Sequence, residues 1–218
     1  MNVGTIVLLG LIVTGAIIGF YRREQLAPPA LRLLPYFLLF QFAYQLAASL
    51  YSFVFTAHAS NHFIFNLSIP INLIYFSYLF HSVIMAKRKR NVIVIGLILN
   101  LIFFFVNLAF IQGFSFLMTY SRTLMAASLV VFSLLYFTEA IGAEEKPYEI
   151  NPLHSAPFWI ITAIFFFYLS STLTIIFWNY FVVNETNFGS IMMRIFAFVL
   201  YAMYVVGLLL HRPAKVRS

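Results

Sequence analysis

Long apolar runs alternate with short polar breaks along the chain, and seven runs are long enough to predict spanning helices: Val3–Phe20, Leu33–Phe55, His62–Ala86, Asn91–Ile111, Phe114–Ala140, Pro157–Val183 and Ser190–Leu210. Each supplies the roughly 20 mainly apolar residues that an α-helix needs to cross ~30 Å of hydrocarbon. The breaks hold residues that end helices. Pro28, Pro29 and Pro35 bound the second run, and Gly113 separates the fourth from the fifth. Pro147, Pro152 and Pro157 fill the longest break, and Asn184–Gly189 forms the last. The expectation is an all-α integral membrane protein, a seven-transmembrane-helix bundle forming a single domain over residues 1–218.

Composition sharpens this picture. Of 218 residues, 63% are apolar and only 9% charged, against ~25% charged in ordinary soluble domains. That balance excludes a soluble enzyme. With no cysteine, disulfides, thiolate metal sites and cysteine nucleophiles are excluded as well.

The net charge of +7 is a matter of topology. Arg22, Arg23 and Arg32 follow the first span, Lys87–Arg90 the third, Lys146 the fifth, and Arg212, Lys215 and Arg217 the seventh. The N-terminus and the breaks after the second, fourth and sixth spans carry no Lys or Arg. By the positive-inside rule the N-terminus lies outside and the C-terminus in the cytoplasm. Charges so placed touch anionic membrane lipids, and no nucleic-acid partner is expected. The first run has no basic residue before it, and Tyr21-Arg22-Arg23-Glu24 follows it. It therefore reads as a retained helix instead of a cleaved signal.

The second and sixth spans share a start, Pro35-Tyr36-Phe37 and Pro157-Phe158-Trp159, and a later small-residue patch, Ala47-Ala48-Ser49 and Ser170-Ser171-Thr172. A repeat four spans apart would give a 3+1+3 arrangement with the fourth span as linker, a plan reminiscent of transporter repeats. Aromatic-rich spans also resemble one another by chance, and the pattern fits both readings.

Two cations fall inside spans: Arg122 and Arg194. At ~1.5 Å per residue, Arg122 is expected about 12 Å and Arg194 about 6 Å below the outer boundary. No acidic residue matches either depth. Each guanidinium either snorkels to the outer headgroups or faces the bundle interior to meet polar groups or an anion. Neutral polar residues at helical spacing accompany them. Gln41, Gln45, Ala48 and Ser52 mark the second span, and Asn66, Ser68, Asn72 and Tyr75 the third. Asn100 and Asn107 lie on the fourth, and Tyr168, Ser171, Thr174 and Trp178 with Asn179 on the sixth. Tyr201 and Tyr204 continue from Arg194 on the seventh. Taken singly, such residues serve as interhelical glue. Together with two guanidiniums in the outer half they predict an outward pocket made by Arg122, Arg194, Gln45, Asn66, Asn72, Asn107, Tyr120, Trp178 and Asn179. Its ligand would be an anionic or zwitterionic small molecule or lipid, since a carboxylate or phosphate satisfies arginine bidentately.

Other chemistry finds no support. The seventh span has no lysine for a retinal Schiff base, and the chain has no Asp and no Glu in mid-span. His58 and His62 stand four apart, but a metal needs further ligands. No catalytic residue, cofactor or metal is assigned. Gly15 and Gly19 make a GxxxG pattern, read as packing within the chain.

The stretches Tyr120-Ser121-Arg122-Thr123-Leu124, Leu134-Leu135-Tyr136-Phe137, Pro157-Phe158-Trp159-Ile160 and Tyr168-Leu169-Ser170 resemble a group of small, uncharacterised seven-helix bacterial inner-membrane proteins. The resemblance covers the C-terminal half. It implies a bacterial cytoplasmic membrane and seven spans, and it supplies no activity. Members of that group carry acidic residues in the third and fifth helices, where this chain has Leu73, Ile74 and Met125, so no acid-dependent role carries over. Three function classes remain: a sensor or receptor-like binding protein, a small-solute or lipid transporter, and a scaffold or subunit with a membrane-protein partner.

Overall fold

The computed structural model describes residues 3–54, 61–141, 152–177 and 188–211. Their long elements are all helices: α1 (Val3–Tyr21), α3 (Leu34–Val54), α4 (His62–Val83), α5 (Lys87–Val106), α6 (Thr119–Ile141), α7 (Ala156–Ile176) and α8 (Phe188–Leu210). One short helix, α2 (Pro29–Arg32), lies between α1 and α3, and α5 ends in a π-helical turn, Asn107–Ile111. Six of the helices, all the long ones except α3, are long and apolar enough to cross a membrane. The fold is therefore a multi-pass helical membrane bundle. Trp178, Asn179, Lys146, Arg212, Lys215 and Arg217 lie outside the described residues.

The long helices form a ring in the order α1, α3, α4, α6, α7, α8, with α8 returning to α1. Helix α5 stands outside it, packed against α4 and α6. Ile95, Ile98, Leu99, Ile102 and Phe105 of α5 are exposed at helical spacing, the apolar face of a helix bordering lipid. The ring is tightest between α7 and α8 and thinnest between α3 and α4.

Glycines set the tight seams, because they let backbones approach. A β-carbon on Gly19 would lie 2.8 Å from Pro35 of α3, and one on Gly207 would lie 2.6 Å from Trp159 of α7. Gly15 faces Leu38 and Val205, so the GxxxG pair packs α1 within the chain, against α3 and α8.

One end of the bundle gathers Arg22, Arg23, Arg32 and Lys87–Arg90. There Arg22 Nη1 donates to the His211 carbonyl at 3.0 Å. The His211 ring bridges the Ala156 amide of α7 (3.3 Å) and the Gln25 carbonyl (3.1 Å), tying α1 to α7 and α8. Glu139 of α6 accepts from the amides of Met85 (2.7 Å) and Ala86 (3.3 Å) ahead of α5, and it lies 3.8 Å from Lys89.

One boundary departs from expectation. The fifth span was predicted from Phe114, yet α6 starts at Thr119. Gly113 takes a left-handed φ of 69°, and residues 113–118 run without helix. Arg122 therefore lies on the first turn of α6, shallower than its sequence position suggested.

Gly207→Ala should destabilise the protein by about 1–3 kcal/mol through overpacking against Trp159. Gly10→Ala has nothing within 4 Å and should be neutral or stabilising by up to ~1 kcal/mol. Thermal unfolding of both variants in one detergent checks the contrast.

Candidate functional site

At the end opposite the basic cluster the ring encloses a cavity of about 490 Å³, to which every ring helix contributes. Helix α1 gives Thr5 and Leu8; α3 gives Gln41, Tyr44 and Gln45; α4 gives His62, Phe65 and Asn72. Helix α6 adds Arg122, α7 adds Tyr168 and Ser171, and α8 adds Arg194, Tyr201 and Tyr204. Both arginines thus meet one space, and no Asp or Glu is among the lining residues.

Arg122 is held from α4. Its Nη2 donates to the Phe65 carbonyl at 3.1 Å, and its guanidinium sits 5.8 Å from the Phe65 ring centre. Its Nε is buried without a partner. Of five guanidinium donors, one is committed to the protein backbone. Tyr44 and Ser68 stand beside it, both lining the same cavity. Arg194, on the second turn of α8, has no hydrogen bond or ion pair with any described residue. Among the described residues, then, half-buried Arg122 and exposed Arg194 bring two cations to the cavity and no acidic side chain lines it, a polarity that suits an anion.

The amides are arranged differently. Gln41 of α3 donates through Nε2 to Asn72 Oδ1 of α4, clasping the two helices across the cavity wall. Gln45 lies one turn nearer the mouth on α3. The hydroxyl of Tyr204, a residue only 1% exposed, has no partner. The Tyr201 and Tyr204 rings meet edge to face at 5.9 Å.

Of the predicted set, Arg122, Arg194, Gln45 and Asn72 come together in this cavity, and Asn66, Asn107 and Tyr120 do not line it. Asn66 is fully buried. Its Nδ2 donates to the carbonyls of Phe114 (3.1 Å) and Phe116 (2.7 Å), and its Oδ1 accepts from the Met118 amide at 3.0 Å. All its capacity goes to the non-helical stretch before α6. Asn107 donates to Gln112 Oε1 at 3.0 Å and Ser121 Oγ at 2.7 Å, fastening the π-turn to α6. Tyr120 is 57% exposed and faces away. Asn66 and Asn107 thus act as interhelical glue, and the Tyr120 side chain does neither job. Trp178 and Asn179 lie outside the described residues.

Tyr44 and Phe65, which flank Arg122, were not among the predicted residues. Tyr44 was within reach of the pattern, since Gln41, Tyr44, Gln45 and Ala48 occupy positions i, i+3, i+4 and i+7 of one helical face. Nothing in the sequence marked Phe65, one phenylalanine among 27. No protein-family model, curated protein or solved structure matches the chain.

Asn66→Ala should lower stability by on the order of 3 kcal/mol, because it leaves buried backbone groups unpaired. Thermal unfolding should show this loss with or without any anion added, as expected of a structural clamp.

Proposed function

We propose that the protein is a seven-span, receptor-like membrane protein whose cavity faces outward and binds an anionic or zwitterionic small molecule or lipid. The carrying observation is that Arg122 and Arg194 line one cavity with no acidic residue. Arg122 Nε is buried there without a partner, and a buried donor left unpaired is costly; Arg194 is exposed on the same rim. An oxyanion would be satisfied by both guanidiniums through charge-assisted bonds.

Helix α3 serves as the seventh span in this reading. Its 21 residues reach about 31 Å at 1.5 Å per residue, and none is charged. The basic end then faces the cytoplasm, and the resemblance given above favours the bacterial inner membrane. Because the chain has no native cysteine, single replacements report sidedness cleanly. Ser115→Cys should react with a membrane-impermeant maleimide in intact cells, and Lys87→Cys only after lysis. The reverse pattern would invert the topology.

A transporter is the second reading, favoured by one observation. The first three long helices and the last three form consecutive arcs of the ring, with α5 outside, the layout expected of a 3+1+3 plan.

Phosphate, acetate and phosphocholine, titrated against the protein in amphipol, test the main reading. At least one should raise the melting temperature. Arg122→Gln and Arg194→Gln should each weaken its binding about tenfold or more, the worth of a hydrogen bond to a charged group. Equal shifts in wild type and both variants would overturn the assignment. Uptake of the labelled anion into proteoliposomes identifies a transporter; binding without uptake identifies a receptor.

A further inference from the structure

A small oxyanion would occupy only the mouth of this cavity. On α8 the lining runs from Arg194 to Tyr204, ten residues or about 15 Å along the helix. That is half of the ~30 Å hydrocarbon thickness, one leaflet. The walls below the arginines include Phe37, Phe76, Met125, Phe167 and Leu200. The deep amides Gln41 and Asn72 bond each other and ask little of a ligand. Hydroxyls at the floor, from Tyr168, Ser171, Tyr201 and Tyr204, can hold water there, but the apolar walls between them and the arginines offer water few partners, and leaving that stretch empty forfeits dispersion contacts.

We infer that the ligand is a single-chain amphiphile, an oxyanionic headgroup held between Arg122 and Arg194 with one hydrocarbon chain extended down the cavity toward Tyr204. This rests on the anion-binding reading above and adds the chain. Depth fits the assignment. Arg122 on the first turn of α6 and Arg194 on the second turn of α8 stand near the level where a lipid carries its charged group. The cavity's 490 Å³ falls within the ~300–1,000 Å³ of sites for single small ligands, which suits one chain better than the two of a diacyl lipid. The wall between α3 and α4 offers a side route from the bilayer. Those helices meet mainly through ring pairs, Tyr44 with Phe65 (5.8 Å), Phe37 with Tyr75 (3.9 Å) and Tyr51 with Phe63 (5.3 Å).

The test is a series of n-alkyl phosphates from methyl to hexadecyl, with inorganic phosphate alongside. Binding to the full chain in amphipol is measured by equilibrium dialysis, referenced to free aqueous concentration and corrected with protein-free amphipol. Affinity should rise about fourfold per methylene, the value of moving that group out of water, and then level off once the chain reaches the floor. Leu200→Trp, about 9 Å below Arg194 along α8, should move the plateau to shorter chains and leave methyl phosphate binding unchanged. If methyl or inorganic phosphate binds as tightly as the long members, the chain site is overturned and anion binding stands. If no phosphate in the series binds, both fall.

Discussion

Inside hydrocarbon no water is present to bond a bare amide or carbonyl, so each polar backbone group must find its partner within the chain. Among the described residues, regular helix meets that demand along the long helices, and the stretch between Asn107 and Thr119 meets it differently. There the backbone leaves α-helical geometry, and side-chain amides take over. The Gln112 and Gly113 amides both donate to the Asn107 carbonyl, at 2.9 and 3.3 Å. Gln112 Oε1 accepts from the Tyr120 amide, and its Nε2 donates to Thr119 Oγ1. Asn66 reaches across from α4 to secure the rest. This pinned segment places Leu117, Thr119 and Arg122 on the cavity rim, so the site inherits its shape from a backbone constraint.

Elsewhere the helices are held without the hydrophobic force that drives soluble bundles, since lipid tails are as apolar as the side chains themselves. Two kinds of seam result. At Gly15, Gly19 and Gly207 the backbones approach closely, and α3, α1, α8 and α7 pack in that order into a firm wall. Between α3 and α4 the contact passes through aromatic rings and the Gln41–Asn72 bond. The cavity is thus bounded by rigid helix contacts on one flank and by rotatable side chains on the other.

Hydropathy carried most of the architecture, because lipid imposes length and composition on each spanning helix. The predicted starts of the first and third spans match α1 and α4 directly. It failed at residues 114–118, where Phe114, Phe116, Leu117 and Met118 read as a continuing span. One glycine torsion and one distant asparagine decide otherwise. The same event accounts for the amides that do not line the cavity. Whether Asn66 and Asn107 serve a ligand or the backbone depends on where a non-helical strand of chain lies, and residue type does not record that. The arginines were legible for the opposite reason. A guanidinium within a predicted span stands out by residue type alone, whatever its neighbours. Phe65 was invisible, since its role is to lend a carbonyl and a ring face to Arg122.

The ring closes by joining α1 to α8, the first long helix to the last. A growing chain inserts its N-terminal helices first, so closure must wait until α8 arrives. The His211 contacts to Gln25 and Ala156 and the Arg22 bond to its carbonyl belong to that last step. Until then the other five ring helices leave a gap between α7 and α1 open to the bilayer, and Arg122 is in place before Arg194 of α8 has been made. Assembly order therefore makes the cavity lined by Arg122 and Arg194 the last feature to close, and a chain stalled before α8 would leave Arg122 beside lipid with one wall still missing.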